Sequence, residues 1–96
     1  MAKVTKSVKT AFEEIGLTMS PVDILKAKVA AAISRHIQTA GMTQADAAER
    51  LGIDQPKVSK LLRGRLNDFS LDRLVTYASA LGQAVDVKVS EPRKVA

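Results

Sequence analysis

The sequence predicts a mainly α domain of four helices followed by one β-strand. Three observations carry this prediction. Apolar residues recur at three- and four-residue spacing in four separate stretches, which is the period of a helix with one buried face. Each stretch opens on a Ser, Thr or Asp and closes near a glycine, at Gly41, Gly52, Gly64 and Gly82. After Gly82 the apolar period changes from 3.6 to 2.

The elements follow in chain order. Ser20 is placed to cap the first helix, with Pro21 at its first helical position and Asp23 three residues beyond the cap. Val22, Leu25, Val29, Ile33 and Ile37 make its inner row and leave Lys26, Lys28 and Arg35 toward water, up to a stop near Ala40 and Gly41. Thr43 caps the second helix, with Asp46 three residues on and Ala47, Ala48 and Leu51 facing inward as far as Gly52. Asp54 caps the third, where Pro56 removes an amide that has no partner in a first turn, and Val58, Leu61 and Leu62 face the core. Ser70 starts the fourth, with Leu71, Leu74, Val75, Ala78 and Leu81 inward.

Beyond Gly82, Val85, Val87 and Val89 alternate with Asp86, Lys88 and Ser90, which predicts a strand over residues 84–90. A single strand cannot pair its own backbone groups, and nothing else in the chain alternates. Its partner is therefore expected in a second copy, making Val85, Val87 and Val89 a dimer interface. The chain divides accordingly into a loosely ordered segment 1–19, a helical domain 20–83, a dimerisation strand 84–90 and a disordered basic tail 91–96.

Composition narrows the function. The 96 residues carry 15 Lys and Arg against 10 Asp and Glu, a formal net charge of +5 that suits a polyanionic partner. Hydrophobic residues make up 46% of the chain but aromatics only 3%, so the core must be aliphatic. With no cysteine and one histidine, neither a disulfide framework nor a His/Cys metal cluster can be drawn, and no metal or cofactor is expected. No nucleophile paired with a base and no Gly-rich phosphate loop stands out, which argues against an enzyme. No apolar run nears the roughly 18 residues that suggest a membrane span, and the Lys-bearing start lacks a signal-peptide core. A soluble, cytoplasmic protein is expected.

The stretch from Met42 to Gly64 then becomes specific. It reads as two short helices joined at Gly52 and Ile53, a helix-turn-helix that directs its second helix to DNA. Burying Val58, Leu61 and Leu62 leaves Gln55, Lys57, Ser59, Lys60 and Arg63 on the opposite face, since residues three and four apart lie together. From Gln55 to Leu66 there are four cations, Lys57, Lys60, Arg63 and Arg65, and no acid, although Gly41 to Phe69 as a whole carries five cations minus four acids, +1. Glutamine can pair with adenine through two hydrogen bonds and lysine can reach guanine, while Gln44 at the start of the preceding helix is placed to hold a phosphate. Gln44, Gln55, Pro56, Lys57, Ser59, Lys60, Arg63 and Arg65 are the candidate DNA-binding residues.

At these residues the sequence resembles the XRE group of lambda-repressor-like regulators, through Thr43-Gln44, Leu51-Gly52-Ile53 and the closing Gly64. The phrases Gln55-Pro56-Lys57-Val58-Ser59, Phe69-Ser70-Leu71-Asp72-Arg73-Leu74 and Ala80-Leu81-Gly82, with Phe12 to Leu17 upstream, are similar to HigA-type antitoxins that pair with RelE-like toxins. The resemblance covers about Phe12 to Val89. It implies a lambda-repressor-like bundle and a repressor that autoregulates a toxin-antitoxin operon and neutralises a RelE-like mRNA interferase. Phe12, Ile15 and Leu17 are then candidates for toxin contact, or for covering an edge of the helical core. The chain departs from the general lambda-repressor pattern by having a strand where a fifth helix would stand. A stand-alone regulator, or a protein-binding module with secondary DNA contact, are the alternative readings. Docking two copies of the third helix into successive major grooves about 34 Å apart would require an inverted-repeat operator.

Overall fold

The computed structural model describes residues 19–90, and four helices lie within them: α1 (Pro21–Thr39), α2 (Gln44–Leu51), α3 (Gln55–Leu62) and α4 (Leu71–Ala80). Each starts as its cap residue dictates. Ser20, Thr43, Asp54 and Ser70 hold extended backbone angles, and their side-chain oxygens accept the amides of Asp23, Asp46, Lys57 and Arg73 at 3.1, 3.0, 2.9 and 3.3 Å. In α1 and α2 the bond is reciprocal, because the carboxylates of Asp23 and Asp46 accept the cap amides in return.

The helix ends are equally regular. The residue after each closing glycine donates its amide back across the last turn: Met42 to Ile37, Ile53 to Ala48, Arg65 to Lys60 and Gln83 to Ala78, all at 2.9 to 3.0 Å. Gly52 takes φ +70°, a left-handed conformation that a side chain would strain, although an added Cβ there would meet no atom within 4 Å. The constraint is therefore backbone angle, not space.

Packing joins these pieces into one core. α1, about 28 Å long at 1.5 Å per residue, lies along α4 and touches α3, while α2 packs chiefly on α3. Ile33, Val58, Leu61 and Leu74 are the largest fully buried side chains, surrounded by Ile37, Ala47, Ala48, Leu51, Ala78 and Leu81. Two aromatic residues join them. Phe69 and Tyr77 are buried in an edge-to-face pair with ring centroids 6.2 Å apart, a contact that the helical periodicity did not single out because Phe69 lies in a loop.

Several positions differ from the sequence reading. Val22, in the first turn of α1, was expected inward and is 51% exposed. Leu62 is half-buried, and Lys26, expected in solvent, is also half-covered. The segment 1–19, except for Met19, and the tail 91–96 lie outside the described residues, as do Phe12, Ile15 and Leu17.

The largest difference concerns the predicted strand. Residues 83–90 contain no regular element, and no strand occurs among the described residues. A strand is defined by the ladder it shares, and the described part of one chain offers no second strand. The first part of the segment, residues 83–87, runs instead against α1, where Gln83 Nε2 donates to the Ala32 carbonyl at 3.2 Å and a cleft of about 220 Å³ is lined by Leu25, Val29, Ala32, Val85 and Val87, among others. Val85, assigned from sequence to the dimer interface, is packed against the chain's own core. Val87 and Val89 are 57% and 92% exposed.

Candidate nucleic-acid interface

Two eight-residue helices and the turn between them form the candidate surface. α2 ends at Gly52, Ile53 inserts part of its side chain against the core, and Asp54 restarts the chain as the cap of α3. This turn sets the relative direction of the two helices, since Val58 and Leu61 of α3 pack into the cluster that holds Ala47, Ala48 and Leu51 of α2. The inner face of α3 is thereby fixed. Its other side is decided by the helical period.

Gln55, Pro56 and Lys57 are exposed in the first turn of α3, Gln55 and Lys57 on opposite flanks of the helix, and Arg63 and Arg65 are exposed at its far end. Gln44 is exposed at the first position of α2, beside the Thr43 cap. Thr43 also holds the Asp46 carboxyl below the usual carboxylate range, first through its backbone amide and then through its hydroxyl. Six of the eight residues picked out by sequence thus stand in solvent. Ser59 and Lys60 do not stand free.

Ser59 is half-buried. Lys60 is engaged: its Nζ lies 3.1 Å from Asp68 Oδ2, the one ion pair among the described residues. This corrects the reading of Lys60 as an unopposed cation. Asp68 is a residue of this surface that sequence reasoning passed over, because it lies eight residues beyond Lys60, across the Gly64 turn, where no helical spacing relates the two. The rule that could have flagged it is charge alone, as the first acid after a run of four cations.

The hollow at the end of α3, about 550 Å³ and bounded by Lys60, Arg65, Asn67 and Asp68 with Gly64 and Leu66, is an open surface concavity. No group of His, Cys, Asp or Glu among the described residues could hold a metal ion. No helix among them is long and apolar enough to cross a membrane.

A family profile described as a helix-turn-helix domain matches residues 11–90, most of the chain. A solved structure assigned to the XRE family of transcriptional regulators is 40% identical over 78% of this chain and 88% of its own, with a TM-score of 0.70. The chain belongs to the XRE-type helix-turn-helix family. This XRE-type protein has no match among curated proteins. Its four described helices agree with the fold of that regulator.

Proposed function

We propose that this XRE-type protein is a sequence-specific DNA-binding transcriptional repressor that inserts α3 into the major groove. One observation carries the reading: with Val58 and Leu61 buried, the solvent-exposed part of α3 presents Gln55 and Lys57 on its two flanks, with Arg63 and Arg65 exposed at its end. Gln55 and Lys57 at the front of the helix are suited to base edges, whereas Arg63 and Arg65 at the rear are suited to phosphate. Gln44, at the amide end of α2, supplies a second phosphate contact from the opposite side. Pro56 and Ser59 line the base-facing surface between them, and Lys60 joins the phosphate contacts when a phosphate displaces Asp68.

The protein acts as a homodimer on an inverted repeat, with Val87 and Val89, exposed near the C-terminal end of the described residues, on a segment that pairs with a second copy. Val85 supports that segment from below. The resemblance to HigA-type antitoxins extends the proposal to repression of a toxin-antitoxin operon, with Phe12, Ile15 and Leu17 contacting a RelE-like toxin.

The test is selection from a randomised duplex pool followed by binding of the enriched sequence over a range of salt. A two-fold-related consensus is expected, with log affinity falling against log salt by about 0.9 per phosphate contacted. Absence of enrichment, with no duplex affinity at low salt, would refute the assignment and favour a protein-binding module. Co-purification with a small basic product of an adjacent reading frame tests the antitoxin extension separately.

A further inference from the structure

We propose that Asp68 is a specificity-determining residue of the α3 surface, an internal competitor that occupies Lys60 until a correctly placed DNA phosphate displaces it. The inference rests on the DNA-binding reading above. Four features support it. Asp68 is the only acid between Gln55 and Phe69, and it is directed at one of the four cations of that stretch. It is positioned and not merely near: the adjacent Phe69 is buried against Tyr77, and the Phe69 amide donates to the Leu66 carbonyl at 3.0 Å, so the loop returns over the end of α3.

The pair is also displaceable. Both side chains remain hydrated, 45% exposed for Lys60 and 66% for Asp68, and exposed ion pairs are weakly held. Finally, the two face a concavity of about 550 Å³ shared with Arg65 and Asn67, which leaves room for a phosphate group beside two cations. The Arg65 backbone is tied to the same place, its N–H donating a hydrogen bond to the Lys60 carbonyl at 2.9 Å.

Affinity for random duplex comes almost entirely from neutralising phosphates, so one cation withheld by Asp68 lowers it directly. In a loosely docked complex the phosphates are not fixed and do not outcompete a carboxylate built into the chain. On the operator, α3 is seated by its base contacts, a phosphate is held against Lys60 and Arg65, and Asp68 is released. The carboxylate thus weakens non-specific binding more than specific binding.

Asp68→Asn tests this, with the operator selected above and a scrambled duplex of equal length as probes and a thermal melt to show that the exposed substitution leaves the fold intact. The expected result is tighter binding to scrambled duplex, with a log–log salt slope steeper by about 0.9, or roughly 3.5-fold more loss over a fourfold rise in salt. The operator slope stays as it was, and the operator-to-scrambled ratio falls. In a Lys60→Gln background the same Asp68→Asn change should add nothing to the slope. An unchanged scrambled-duplex slope, or an equal gain in affinity with and without Lys60, would overturn the proposal while leaving the DNA-binding reading in place. Failure of the unsubstituted protein to bind any duplex would overturn both.

Discussion

α2 and α3 are alike in length and in the extended backbone of their N-cap residues, yet their first turns are opposite in charge. α2 carries Asp46 at the third helical position, where its carboxylate closes a reciprocal cap and meets the positive end of the helix. α3 carries Lys57 at the same position and has no acid in its first turn. A cation there opposes the helix dipole by about 0.3–1 kcal/mol, a penalty offset by the Asp54 cap, whose side chain accepts the Lys57 amide at 2.9 Å. The difference teaches what each helix is for. The first turn of α2 is arranged for stability, whereas α3 accepts a less favourable start and displays a cation there.

The comparison breaks most visibly at the inner faces. Leu61→Ala should lower stability by about 2–5 kcal/mol, since the side chain is almost fully buried at the junction of the helices, and chemical denaturation measures this. An exposed substitution on the same helix, Gln55→Ala, should leave stability within about 0.5 kcal/mol. The same variant should lose about 1–3 kcal/mol of operator binding and relax base preference at one position, read from binding to a panel of operator variants. If Gln55→Ala weakens all duplexes equally, the residue contacts backbone and not bases.

A charge change at Lys57 sharpens the contrast further. Lys57→Glu should stabilise the fold by about 0.3–1 kcal/mol by matching the pattern of α2, seen as a higher melting temperature, while it abolishes duplex binding. A loss on both measures would mean that Lys57 supports the fold.

The smallest effect is expected from pH. Thr43 lowers the pKa of Asp46 in the folded protein below its ordinary 3.8, so the unfolded chain takes up the proton first as the pH falls. The contribution of this cap is therefore fully present above about pH 4 and is lost as the pH drops through the lower folded value. The Asp72 carboxyl, lowered first by the Ser70 hydroxyl, acts in the same direction at the start of α4. Thermal melts from pH 5 to pH 2 should show a shallower decline for Asp46→Asn than for the unsubstituted protein. Parallel curves would remove Asp46 from the account.

Much of this fold is local, and local structure was legible. Ser20, Thr43, Asp54 and Ser70 cap the helices, and the glycines at 41, 52, 64 and 82 close them, because capping depends on residues three or four apart. The exposure of Gln55, Lys57 and Arg63 followed from the same period. The Phe69–Tyr77 contact did not, since a loop residue has no period to betray its burial. Nor did the seat of Val85 against α1, because alternation says which residues share a side and not what covers it.

The amino-acid order by itself therefore determined where each helix begins and ends and which side of α3 is polar, since those outcomes depend on hydrogen bonds and side-chain spacing within a few residues. Only the tertiary structure decided that Asp68 reaches Lys60 and that residues 83–87 lie along α1. Both results depend on how separate elements are brought together by burial of a shared core, and that burial acts between residues far apart in the chain.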